Sequence, residues 1–158
     1  MDPEIDCYGR YIREKIEQIH AALGDLTEDE LNRAPRGIPG ANSGFVIATH
    51  TYGNMRAWIL GIVCGRALSR DRPGEFASRG TFDQLGDAAR ELTGEVDGAL
   101  LTLDPMTLGD RFVPSKEQWG EGQPLEIERR GGFVHVLEHA GIHLGHIHMT
   151  VDLLKAQR

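Results

Sequence analysis

Cysteine is nearly absent: Cys7 and Cys64 are the two in 158 residues, far apart and without CxxC spacing. That excludes a disulfide framework and a thiolate zinc site. Aromatic residues are scarce as well, at 6%. Basic residues are outnumbered, 17 Lys and Arg against 24 Asp and Glu, for a formal net charge of −7. With no run of Lys or Arg either, the balance argues against nucleic acid as a partner. Long hydrophobic runs are also missing. The most apolar stretch, residues 45–65, is broken by His50, Asn54 and Arg56 and is too polar to span a membrane. The opening MDPEIDCYGR has neither the basic start nor the apolar core of a signal peptide. The expectation is one domain, residues 1–158, in the reducing cytoplasm.

What the sequence has is helical periodicity. Ile5, Tyr8, Ile12, Ile16, Ile19 and Leu23 recur every three or four residues, the signature of one buried helical face. Thr27-Glu-Asp-Glu30 and Thr81-Phe-Asp-Gln84 read as capping boxes, and Asn42 or Ser43 as an N-cap. The set Phe82, Leu85, Ala89, Leu92, Val96, Ala99 and Leu103 keeps heptad-like spacing up to Pro105. Long helices are predicted near residues 3–23, 43–65, 81–103 and 130–156, with a short one opened by Thr27 and ended by Pro35. Four amphipathic segments with few strand signals predict an all-α protein, an antiparallel four-helix bundle. Residues 105–124, rich in Pro and Gly and containing Trp119, read as a long loop able to serve as a lid.

The second thing present is histidine. Five of the seven lie between His135 and His148. At about 100° per residue, His135, His139, His143 and His146 share one stripe, and His148 points away. His139 and His143, one turn apart, can converge on one ion. An HxxxH pair alone also fits a surface or hydrogen-bonded core pair, but several unpaired imidazoles on an apolar helix need something to organise them. His50, central in the apolar FVIATHTYGNMRAWIL, is the candidate third ligand. Alone it reads as a satisfied core residue. With the pair it completes three neutral nitrogen ligands and an open coordination position. His20 reads as a partner for the end of the first helix. Asn54, one turn beyond His50, can face the same cavity or be an ordinary polar residue. Cys64 and Trp58 read as core or interface residues, Trp119 as a loop anchor, and the carboxylates, Glu138 among them, as solvated.

These residues carry a family likeness. The chain resembles the DinB-like (DinB/YfiT) metal-binding four-helix bundles over nearly its whole length. Their C-terminal His-x-x-x-His pair with a following x-Gly-Gln is matched by HAGIHLGH, His139 to His146, and their helix-two histidine by His50 in ATHTYGNMRAWIL. The preceding LGDLTEDELNRAP also looks like the family's approach to helix two. His146 stands where the family often has Gln, which implies a proton-handling residue beside the ion or a fourth ligand. The resemblance implies a divalent metal, zinc or nickel, on His50, His139 and His143. It further implies a low-molecular-weight thiol (bacillithiol, mycothiol or glutathione type) as cosubstrate, an electrophilic small molecule as its partner, and S-transferase or isomerase chemistry in a homodimer. A metal-dependent hydrolase of small amides or esters and a non-catalytic metal-binding bundle are the alternatives.

Overall fold

A computed structural model describes residues 1–119 and 122–158, and these are predominantly helical, so the all-α expectation holds. Four long elements are built as the periodicity requires. Helix α1 (Pro3–Ala22) is capped by Asp2, whose side chain accepts from the Glu4 and Ile5 N–H groups, and has Pro3 in its first turn. The short α2 (Glu28–Leu31) and the long α5 (Phe82–Leu100) both open with the capping boxes read from Thr27 and Thr81. Helix α3 (Gly44–Arg56) is capped by Ser43, and α7 (Arg129–Ala156) runs close to the expected span. Helix α7 packs against both α1 and α3, and α5 against the same two. The core they share includes Ile12, Ile16, Ile19, Met55, Leu92, Val96, Phe133 and Ile147, each worth about 1.5–3 kcal/mol by burial.

Three features depart from the expectation. The second long segment does not stay α-helical to residue 65. It widens into a π-helical stretch, Ala57–Val63, where Cys64 N–H reaches back five residues to the Ile59 carbonyl at 2.9 Å. Residues 66–80, to which the sequence reading assigned no element, contain α4 (Arg72–Ala77), capped by Asp71 and carrying Pro73 in its first turn. Residues 105–124 are not a plain loop. They hold a 3₁₀ turn (Pro105–Gly109), strand β1 (Arg111–Phe112) paired antiparallel with β2 (Ile127–Glu128), and α6 (Lys116–Trp119). Gly120 and Glu121, within that span of sequence, lie outside the described residues. Trp119 anchors it, its ring 5.3 Å from that of Trp58.

Trp58 itself is 4% exposed within one chain, so the interface role considered for it gives way to the core role. It lies where the π-helical stretch meets α7, and Gly132 makes that meeting possible. A β-carbon there would sit 2.5 Å from Val63 Cγ2. Gly132→Ala is therefore expected to lower stability by about 1–3 kcal/mol through overpacking, despite alanine's better helix propensity. Urea unfolding checks this, and an unchanged or raised midpoint would mean the contact yields freely. Among the described residues no helix is long and apolar enough to cross a membrane.

Candidate metal centre

Helices α3 and α7 bring the three expected histidines together. One nitrogen from each of His50, His139 and His143 lies within 4.8 Å of the others. The ring centroids are 5.3 Å apart for His50 and His139, 5.1 Å for His50 and His143, and 4.3 Å for His139 and His143. Nitrogens on one tetrahedral ion are about 3.3 Å apart, so small side-chain rotations would close the group. The three rings converge because α7 sets two imidazoles one turn apart on the face turned toward α3, and α3 offers His50 from a buried position, 6% exposed.

Each ring has a different second partner. His50 Nδ1 lies 2.9 Å from Glu75 Oε2. A carboxylate can only accept, so Nδ1 carries the hydrogen and the Nε2 lone pair is left bare. Glu75, on α4 and 9% exposed, is held by a fork from Arg70: Nε to Oε1 at 2.7 Å and Nη2 to Oε2 at 2.8 Å. Arg70 Nη2 also stands 3.4 Å from both Nδ1 and the carbonyl of His50. With hydrogen on Nδ1, only the carbonyl can accept. Burial pushes the Glu75 carboxyl up, but the hydrogen bonds from His50 and Arg70 outweigh it and hold its pKa below the usual range.

Glu75 reaches His50 through a gap left by Gly53. A β-carbon at residue 53 would lie 2.1 Å from Glu75 Oε1, closer than any real contact. Sequence reasoning missed Arg70, Glu75 and Gly53, having placed the carboxylates on solvated faces. The available signal was Asp71-Arg-Pro73, an N-cap followed by a first-turn proline, which marks a short helix bearing Glu75.

Along α7 the histidine stripe appears as the periodicity requires. His135 stacks on Trp58 with centroids 3.7 Å apart, and its Nε2 is buried without a partner among the described residues. His139 Nδ1 is orphaned in the same way. His146 is exposed and outside the converging group, with its Nδ1 3.4 Å from His143 Nδ1. His148 and Glu138 are exposed. His20, at the end of α1, stacks on Phe82 at 4.1 Å and takes no part.

Burial, then the neighbouring His143 and His50, pushes the His139 pKa down to about 3, and burial with His50 and His146 pushes His143 down to about 4. Both rings are neutral at pH 7, the state a metal requires. The sign of the stability effect follows. Unfolded histidine titrates near 6.5, so between pH 6.5 and about 4 the unfolded chain binds more protons and the metal-free fold weakens as pH falls. The expected result is a thermal midpoint of chelator-treated protein that drops between pH 7 and 5, above the carboxylate range. In His139→Leu that drop shrinks. Equal slopes for the two proteins would contradict the assignment.

A cleft of about 250 Å³ opens beside the group, lined by His50, His139, His135, Asn54, Trp58 and Trp119, with Arg70 and Arg72 at its edge. A larger hollow, about 530 Å³, lies behind Glu75 and touches none of the histidines. Size therefore does not mark the site; the convergent nitrogens do. No protein-family model matches the chain, and no curated protein sequence matches it.

Proposed function

We propose that the chain is a DinB-like antiparallel four-helix bundle that holds a divalent ion, zinc or nickel, on His50, His139 and His143 and acts as a thiol-dependent S-transferase or isomerase. The observation that carries the reading is the orphaned, buried Nδ1 of His139 beside two more converging imidazoles, one already fixed in tautomer by Glu75. Unpaired buried nitrogens are costly, and an ion would satisfy them. The donor set also fits: three imidazole nitrogens and, among the described residues, no fourth protein ligand in the group suit a metal that keeps one position for a ligand. When bound, such an ion lowers the pKa of a coordinated thiol so that the thiolate is present at neutral pH.

The chain's own residues do the rest. Arg70 and Glu75 lock His50 with Nε2 toward the group. His146, exposed and 3.4 Å from His143 through Nδ1, is the residue this reading assigns to proton handling beside the ion. Trp58 and Trp119 give the cleft its aromatic lining. The reading includes a homodimer that meets through exposed apolar residues of α7, among them Val134, Ile142 and Met149. Light scattering returning 17.5 kDa at high concentration would remove the dimer.

The test is conjugation of a small thiol to 1-chloro-2,4-dinitrobenzene by metal-loaded and chelator-treated protein. Metal-dependent acceleration that is lost in His143→Ala supports the reading. Equal rates with and without metal sink it.

A further inference from the structure

The three converging histidines form one layer between α3 and α7, and a second polar layer lies one turn away. Trp58, which follows His50 in the chain, stacks on His135, which precedes His139, so the two helices run in opposite directions here. Asn54, one turn after His50, therefore falls on the same side of the histidine group as His135, one turn before His139. Both line the cleft of about 250 Å³.

Neither is satisfied within the chain. Asn54 is 5% exposed, and its Oδ1 is buried with no partner among the described residues. His135 Nε2 is buried and bare in the same way, on a ring held against the Trp58 indole. Thr51, fully buried on the same helix as Asn54, shows the contrast: its hydroxyl donates to the Ile47 carbonyl at 2.7 Å. Bare buried polar atoms are costly, and two on one cleft are met together by one ligand. Their chemistry specifies the group. An amide oxygen can only accept, whereas an imidazole nitrogen that carries the ring hydrogen donates. A hydroxyl answers both with a single atom. The cleft volume falls below the 300–1,000 Å³ usual for drug-sized ligands, so the occupant is small.

We propose that the cleft selects a small thiol bearing a hydroxyl, which donates to Asn54 Oδ1 and accepts from His135 Nε2–H. The proposal rests on the metal-thiol reading above for the anchoring sulfur. Asn54 and His135 act on a part of the ligand away from the ion, as specificity residues.

Three probes isolate the hydroxyl. 2-Mercaptoethanol and 1-propanethiol match in length and differ by a hydroxyl in place of a methyl, and 2-methoxyethanethiol keeps the oxygen without its hydrogen. Each is titrated calorimetrically into zinc-loaded protein, with bound zinc measured before and after. 2-Mercaptoethanol is expected to bind about tenfold or more tightly than 1-propanethiol, and more tightly than the ether. Asn54→Leu should erase its advantage over the ether. His135→Phe, which keeps a ring against Trp58, should narrow the gap to 1-propanethiol by about two- to tenfold. A hydroxyl that merely joined the zinc would give gaps that both variants retain, and that result overturns the proposal, as does equal binding of the probes by the parent protein. Asn54→Leu removes a bare buried acceptor and should unfold at the same or a higher temperature. A midpoint lowered by several degrees would make Asn54 structural and overturn its role. The same titrations on zinc-free protein divide the two readings. Binding that weakens without zinc supports both, whereas a gap that Asn54→Leu removes but zinc does not affect counts against the metal reading alone. Binding of none of the probes overturns both.

Discussion

Replacing His139 by alanine is expected to reduce bound metal from one ion per chain to less than about a tenth under the same loading and washing. The reasoning is a division of binding energy. Structural zinc sites with four protein ligands bind by about 10–16 kcal/mol, roughly 3 kcal/mol for each ligand, so losing one costs over a hundredfold in affinity. His143→Ala should behave alike, since both rings leave α7 from adjacent turns. His50→Ala should be as severe, and it would take from Glu75 Oε2 its 2.9 Å partner while leaving the Arg70 fork in place. His148→Ala is the control. That ring is exposed and outside the converging group, and full metal content is expected. His146→Ala should fall between these limits, weakening metal by about 10–100-fold through the loss of His143's partner. Elemental analysis of the five purified variants reads the series directly. Full occupancy in His50→Ala would take His50 out of the site.

The second large effect should come from a residue with no chemistry of its own. Gly53→Ala places a β-carbon 2.1 Å from Glu75 Oε1, and the carboxylate has to leave. Two consequences follow from one displacement. Arg70, 19% exposed at its side chain, loses its buried counterion, a break that costs about 3–5 kcal/mol in stability. His50 loses the acceptor that holds its tautomer, which costs about 10–100-fold in metal affinity. Glu75→Gln keeps the shape and an acceptor oxygen but gives up the charge, so it should fall between parent and Gly53→Ala in both measurements. Denaturant unfolding and metal competition by a chelator supply the two numbers. A Gly53→Ala protein as stable and as tight as the parent would show that Glu75 is incidental to His50.

The contrast between His139 and Glu75 shows what was legible in the sequence. His139 and His143 lie four residues apart on one helix and so share a face, His50 lies in a second helix with a readable N-cap, and the structure brings the three together. The capping boxes at Thr27 and Thr81 were legible for a similar reason: the signal spans four residues and depends on nothing distant. Glu75 lies 25 residues from His50 on α4, the six-residue helix Arg72–Ala77, too short to show a period. Its meaning depends on a gap at Gly53 that no local pattern announces. The π-helical stretch was invisible for another reason. Ala57 to Val63 is apolar nearly throughout, so adding a residue to the turn leaves no break in the hydrophobic pattern. The 105–124 stretch misled because β1 within it and its partner β2 just beyond have only two residues each, below the length at which alternation can be read.

X-ray absorption on the metal-loaded chain, before and after addition of a small thiol, tests the central claim most directly. For zinc, the account predicts imidazole scattering from three histidines with nitrogen near 2.0–2.1 Å and one light-atom ligand before addition, and a sulfur shell near 2.3 Å after it. Four imidazoles, or a spectrum that thiol leaves unchanged, would contradict it.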